Sequence, residues 1–348
     1  MSDNFWAGNR ILLTGHTGFK GAWMAYCLTR MGAKVTGLAL APEGSPNLFQ
    51  LLSPDVKNIT ADVRHLDAVK KAVHDSSPEI VIHMAAQALV RRSYRTPVET
   101  FATNVMGTAH LLDAVKDLQQ PVTVLVITSD KVYRNTEKGT AFHEDDPLGG
   151  DDPYSASKAA VEMAVHSWRE SFPSAQRVIA SARAGNVIGG GDFSEDRLIP
   201  DIYRAMISGK PLVLRYPQAV RPWQHVLDTV FGYLTYVEAL DAKKSDIPLS
   251  LNLGPDKKEA VTVENVLRSF EQALGKKVPY KVEATDLAEK ATLLLDTRLA
   301  EKTIKWHNHL TMDEAVRWTA DWYAGFHGGK KAQQLCEKQF DDYYARMK

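Results

Sequence analysis

Arg10-Ile11-Leu12-Leu13-Thr14-Gly15-His16-Thr17-Gly18-Phe19-Lys20-Gly21 is the stretch whose reading decides the fold of this chain of 348 residues. Its first five residues form a short apolar run of the kind that makes a buried strand. Glycines stand at 15, 18 and 21, and Ala22 to Met31 is apolar and helix-forming. Strand, glycine turn and helix in that order make a phosphate-binding unit. The glycines let the backbone turn sharply and approach a pyrophosphate, and the helix N-terminus offers unpaired N–H groups and a partial positive charge. The spacing is Gly-x-x-Gly-x-x-Gly rather than Gly-x-Gly-x-x-Gly. A turn that merely needs positive φ is the alternative, which the position at the first strand–helix junction disfavours.

Working outward, strand and helix patterns alternate through the first half. Lys34 to Leu40 reads as a second strand, Ile59 to Asp62 as a third, Ile80 to Met84 as a fourth and Val122 to Thr128 as a central parallel one. Helices are expected at Ala68 to Val73 and Val98 to Asp117, and closing strands at Arg177 to Ala184 and Ser250 to Leu253. This alternation predicts an α/β fold, a Rossmann-type doubly wound parallel sheet. The dinucleotide-binding domain is expected over residues 1–184, with later returns near 226–254. Residues 185–348, richer in Gly, Pro and aromatics and helical after Val261, are expected to form a smaller, mostly helical substrate-binding region.

Composition agrees: 44% apolar, 24% charged and zero formal net charge describe an ordinary soluble protein, with no field that would draw nucleic acid or an anionic membrane. Two cysteines, Cys27 and Cys336, are too few for a disulfide framework or a metal site. The first residues lack a signal-peptide pattern and no stretch is long enough to span a bilayer, so a cytoplasmic location and no metal are expected.

Tyr154 lies four residues before Lys158, and positions four apart share a helix face. An ammonium beside a phenol would lower the tyrosine pKa and make it a usable base near neutral pH. A second Tyr-x-x-x-Lys, Tyr344 to Lys348, ends the chain and reads as a solvated tail. Ser129 ends the central strand, where open α/β sheets bind ligands, although a serine there could simply cap a turn.

Gly15/Gly18/Gly21, Ser129 and Tyr154/Lys158 together resemble the extended short-chain dehydrogenase/reductase superfamily. That resemblance implies a Ser–Tyr–Lys set acting on a substrate hydroxyl while a nicotinamide takes or gives hydride. It also implies a cofactor site built from Gly15, Thr17, Gly18, Phe19, Lys20, Gly21, Asp62, Val63, Arg64, Ala85, Ala86, Gln87, Asn104, Thr128, Tyr154 and Lys158. Asp62-Val63 resembles the superfamily's adenine-binding pair, with a turn aspartate as the alternative. Arg64 could assist at the ribose. His83-Met-Ala-Ala-Gln87 resembles its Ala-Ala element. Asn104 matches a family position on the long helix, or else ties strand and helix together. The second strand ends Gly37-Leu-Ala-Leu-Ala41 with neither the acidic residue that holds ribose hydroxyls nor an arginine for a 2′-phosphate, so this site leaves NAD or NADP open; NAD is expected.

After Ser129 come Asp130 and Lys131, a pattern resembling CDP-glucose 4,6-dehydratases and, more distantly, inverting UDP-N-acetylglucosamine dehydratases. Such reactions need an acid and a base besides the Ser–Tyr–Lys set, because a C5 proton and a C6 hydroxyl must both leave. Asp130 as acid with Lys131 as base, or the reverse, both fit; a surface ion pair is the bland alternative. Arg183 to Phe193, Asp196 to Asp201, Asp146 to Gly150 and Arg221 to Val226 extend the resemblance over nearly the whole chain. It implies a nucleotide-sugar substrate held by Asn186, Arg197, Leu198, Arg215 and Arg221 together with Asp130 and Lys131; amide and guanidinium donors suit a diphosphate, and salt bridging is the alternative for each arginine. Trp223 reads as core. Family members pair through two long helices per subunit, so Val98 to Asp117 and Tyr154 to Phe172 imply a homodimer or homotetramer through a four-helix interface.

Overall fold

In the computed structural model, residues 4–242, 246–283 and 290–348 are described. The chain runs β1 (Arg10–Thr14), α1 (Phe19–Arg30), β2 (Lys34–Ala39), α2 (Leu48–Leu52), β3 (Val56–Thr60), α3 (Leu66–Ser76) and β4 (Ile80–His83). It continues with α4 (Val90–Arg95), α5 (Pro97–Phe101), α6 (Gly107–Lys116), β5 (Val122–Ile127), α7 (Pro153–Ser171), β6 (Arg177–Ala184) and β7 (Asn186–Ile188). Next come α8 (Leu198–Ser208), β8 (Leu212–Leu214), β9 (Val220–Arg221), β10 (Trp223–His225), α9 (Val226–Asp241) and β11 (Ser250–Leu253). The last elements are β12 (Val261–Thr262), α10 (Val263–Leu274), β13 (Tyr280–Val282), α11 (Arg298–Ile304), α12 (Met312–His327) and α13 (Ala332–Met347).

Seven of the strands form one sheet in the order β11-β6-β5-β4-β1-β2-β3, parallel throughout. Apolar alternation divides its strands between two cores. Leu12, Val81, Val124 and Val126 face the helices α3, α6 and α7. Ile11, Leu13, Ile80, Ile82, Leu125 and Ile127 share the other core with Trp23 of α1, with α9 and with the C-terminal helices. Both faces are therefore covered, as a parallel sheet requires. Three two-stranded ribbons, β7–β10, β9–β12 and β8–β13, support the second half. The final helix packs back on the first: Arg30 pairs with Glu337 at 2.8 Å and Asp341 at 2.9 Å.

Two expected elements differ. The third strand is Val56–Thr60, not Ile59 to Asp62. It is an edge strand whose outward residues are polar, so its apolar signal is weak, and Asp62 lies in the turn beyond it. The expected single helix from Val98 to Asp117 is interrupted by a π-turn over Ala102–Met106, with helical backbone continuing on either side. The extra residue in that turn accompanies the burial of Asn104, and Gly107 follows it because a Cβ there would come 2.7 Å from Val63 Cγ2.

Candidate active site

The strand order reverses at β1, between β4 on one side and β2 on the other, and such a switch point is where open α/β sheets bind ligands. Thr14 ends β1 there. Its hydroxyl accepts from the backbone N–H groups of Met84 and Ala85, at 3.1 and 3.0 Å, and meets His83 Nδ1 at 2.7 Å. With those lone pairs used, Thr14 donates to Nδ1, and the proton on His83 sits on Nε2, 3.0 Å from Thr108 Oγ1. Burial, aided by Lys158, depresses His83 to about 3, which keeps it neutral.

The three glycines do different things. Gly15 (φ +75°) packs under the loop after β4, where a Cβ would come 2.7 Å from Ala85 N. A Cβ on Gly21 would strike the Gly15 carbonyl oxygen. At Gly18 a Cβ would find only that oxygen at 3.5 Å, so the fold itself leaves this cradle open. Gly18 also caps α1 without any side-chain hydrogen bond. An uncapped helix start facing an unfilled glycine cradle fits a dinucleotide pyrophosphate. Thr17 Oγ1 donates to the Leu40 carbonyl, fastening this turn to the end of β2.

At the end of β5, Ser129 starts a short 3₁₀ turn over Asp130–Val132. Its hydroxyl accepts from Lys131 N at 3.2 Å and donates to Asp130 Oδ1 at 2.9 Å. Asp130 is buried, and its Oδ2 has no partner among the described residues. Gly185 is small for the same site: a Cβ there would lie 3.4 Å from Asp130 Oδ2 and 2.6 Å from Pro222. Helix α7 begins with Asp152, whose carboxylate accepts from Ser155 N, followed by Pro153 at the first turn. Tyr154 and Lys158 follow, both buried on one face.

That face does not do what its spacing predicts. Burial pushes the Tyr154 phenol up to about 12; a hydrogen bond with Ser129 opposes this, Asp130 adds to it and Arg197 counters. Lys158 Nζ instead donates to the Ile127 carbonyl at 3.0 Å. Burial, then the neighbouring Lys20, lower Lys158 to about 7, with Glu162 pulling the other way. In this arrangement the Lys158 ammonium is committed to a carbonyl, and the phenol stays above its ordinary value. Tyr344 and Lys348 make the other kind of pair, a cation 5.0 Å over the ring.

Lys20 departs from a purely pyrophosphate role. Its ammonium, lowered to about 8 by burial and then Arg197, feels Asp130 and Asp192 as opposing charges, which sets it among the groups at the end of β5. Phe19 lines a recess with Asn47, Gly191 and Phe193. Asp62 is gripped by its neighbour: Arg64 donates to Oδ2 from Nε at 2.8 Å and Nη2 at 2.6 Å. Val63 packs against Gly107. Asn104 ties the loop of Ala85, Ala86 and Gln87 to α7, accepting from Gln87 N at 2.8 Å and donating to Gln87 O and Ser157 Oγ at 3.1 and 2.8 Å. Those bonds match the tie rather than a ligand contact. Thr128 Oγ1 is bonded to Glu162, 2.5 Å away.

On the other wall, Asn186 opens β7, hydrogen-bonded alongside β10. Arg197 pairs with Asp192 at 3.2 Å, and Leu198 begins α8 behind it. Arg215 reaches Asp196 at 3.4 Å, which also meets Arg91 and Arg95. Arg221 is buried and donates to the Val220 carbonyl at 2.8 Å. Trp223 is core, its indole N–H directed at the Val261 carbonyl. Sequence reasoning missed Thr14, Asp192 and Glu162. Only Glu162 carried a signal, standing four residues beyond Lys158 on the same helix face.

A Rossmann sheet with an open glycine cradle, and a serine–tyrosine–lysine set with an adjoining acid and amine, define a nucleotide-dependent enzyme acting on a hydroxylated substrate. The chain belongs to the NAD dependent epimerase/dehydratase family, whose model matches residues 11–254. It is 38% identical over 99% of its length to the CDP-glucose 4,6-dehydratase of Salmonella typhimurium, covering 98% of that protein. It is 25% identical to the UDP-glucose 4-epimerase of Erwinia amylovora, over 90% of this chain and 97% of that one. Among solved structures, dTDP-glucose 4,6-dehydratase from Bacillus anthracis in complex with NAD superposes with a TM-score of 0.77 at 20% identity, covering 94% of this chain and 99% of its own.

Proposed function

We propose that the protein is a CDP-glucose 4,6-dehydratase, a lyase that removes water from CDP-glucose to give CDP-4-dehydro-6-deoxyglucose in deoxysugar biosynthesis. The observation that carries this reading is Asp130-Lys131 on the turn beside Ser129, with an unpartnered buried carboxylate oxygen, in a chain that matches a CDP-glucose dehydratase end to end. Gly15, Gly18, Gly21 and the start of α1 would hold NAD, with Lys158 and Tyr154 near its nicotinamide end. When bound, NAD supplies the hydride acceptor for C4 and the donor for C6.

The chain's own residues move the protons. Tyr154 takes the C4 hydroxyl proton as it passes its own to Ser129 Oγ, which in turn donates to Asp130 Oδ1, the bond already formed. Asp130 is then a carboxylic acid. The C4 ketone acidifies C5, Lys131 takes the C5 proton, and Asp130 protonates the departing C6 hydroxyl, which leaves as water. Lys131 returns its proton to C5 as C6 is reduced. The Ser129–Asp130 bond thus favours Asp130 as acid over the reverse division. Arg197, Arg215, Arg221 and Asn186 would hold the diphosphate, which would have to displace Asp192 and Asp196 from the first two.

We infer a homodimer as well. Val98 is 81% exposed, and with Pro97, Phe101, Ala102, Val105 and Met106 it lines an apolar depression; Met163 on α7 is 65% exposed. Buried, unpaired Cys27 and Cys336 suit a reducing cytoplasm. Incubating the purified protein with CDP-glucose and NAD and weighing the product tests the activity. Loss of one water is expected; a product of unchanged mass means an epimerase, and no conversion overturns the reading.

A further inference from the structure

Glu162 lies one turn beyond Lys158 on α7, and its carboxylate is buried. It accepts from Thr128 Oγ1 at 2.5 Å, from Ser181 Oγ at 2.8 Å and from Arg183 Nη2 at 2.8 Å. Thr128 is the residue before Ser129, so one side of the carboxylate is bonded to the end of β5 from which the reactive turn departs. The other side holds Arg183 on β6. Arg183 Nη1 in turn donates to Tyr133 Oη at 2.8 Å and to the Glu144 carbonyl at 2.7 Å. Tyr133 donates onward to Asn252 Oδ1 at 2.7 Å on β11. Tyr133 closes the same turn that carries Asp130 and Lys131. The reactive turn is therefore gripped at both ends by one network centred on a single carboxylate.

We infer that Glu162 is a positioning residue of the reaction: its carboxylate anchors the Thr128–Tyr133 turn, which carries Asp130 and Lys131, at both ends.

A buried carboxylate is retained only when paired and hydrogen-bonded. Here the Arg183 guanidinium and the Thr128 and Ser181 hydroxyls overcome burial and hold Glu162 below the ordinary carboxylate range, so it carries a fixed negative charge.

The inference rests on the dehydratase reading, so the wild-type enzyme is assayed first: whether it releases water from CDP-glucose decides that reading alone, and the variant is compared on whatever conversion the wild type performs. Glu162→Gln keeps the shape and removes the charge. Its kcat is expected to fall at least about tenfold with KM within about twofold. A folded variant with wild-type kcat, or one whose loss is carried by KM rather than kcat, overturns the inference. Should Glu162→Gln not fold, Thr128→Val removes the hydroxyl that bonds Glu162 and the Ala182 carbonyl: a lowered kcat with unchanged KM supports the anchor, and an unchanged kcat overturns it.

Discussion

In the proposed mechanism Tyr154 joins the substrate hydroxyl to the Ser129–Asp130 relay, and its phenol hydrogen-bonds with Ser129. Tyr154→Phe should keep the fold and lower kcat by about 10²–10⁴-fold, seen as lost turnover with unchanged circular dichroism. Near-wild-type activity would remove Tyr154 from the reaction. Asp130→Asn and Lys131→Ala should part the two halves of the reaction. Reduced nicotinamide should still form in a single turnover, by absorbance, while water loss collapses; normal dehydration by both variants would make the pair structural. Lys158 gives a prediction of opposite sign for stability. Its folded pKa of about 7, lowered chiefly by burial from 10.5, means that the folded state resists a proton the unfolded chain accepts. This cost is full below pH 7 and fades as pH rises toward 10.5. Lys158→Met should therefore be more thermostable than wild type, with the advantage largest near or below pH 7 and shrinking in alkaline buffer. A melting difference independent of pH would refute this.

At the scale of the element, the glycine turn separates what the fold needs from what a ligand needs. Gly21→Ala places a methyl against the Gly15 carbonyl and should cost on the order of 1–3 kcal/mol in denaturant melts. Gly18→Ala meets nothing closer than 3.5 Å and has an ordinary φ of −79°, so stability should stay within about 1 kcal/mol. The same methyl fills the cradle, and NAD affinity measured by calorimetry should fall sharply. Unimpaired binding by Gly18→Ala would place the pyrophosphate elsewhere. The π-turn at Ala102–Met106 shows the limit of periodicity: the sequence reads as one amphipathic helix, and only packing of Asn104 against Gln87 and Ser157 calls for the extra residue.

For the whole molecule, the apolar strip on α5 and α7 is the surface that a second copy would cover. Val98→Asp should turn a dimer into a monomer by light scattering at dilute concentration, without changing the melting of the monomer's own core, since Val98 is largely exposed. A wild type that is monomeric at these concentrations would refute the interface.

Much of this architecture is legible in the sequence alone because local chemistry dictates it. The apolar run Arg10–Thr14 before three glycines, β6 at Arg177–Ala184 and β11 at Ser250–Leu253 lie where the sequence pattern places them, since strands buried on both faces carry apolar residues on both. Ser129, Tyr154 and Lys158 are likewise marked by position and spacing. Contacts between distant residues left no such mark. The burial that raises Tyr154, the carbonyl that takes up Lys158, the acidic partners of Arg197 and Arg215, and the carboxylate of Glu162 between Thr128 and Arg183 all depend on which elements meet. Charge and solvation at a site are sums over every neighbour in space, and only the folded chain decides who the neighbours are.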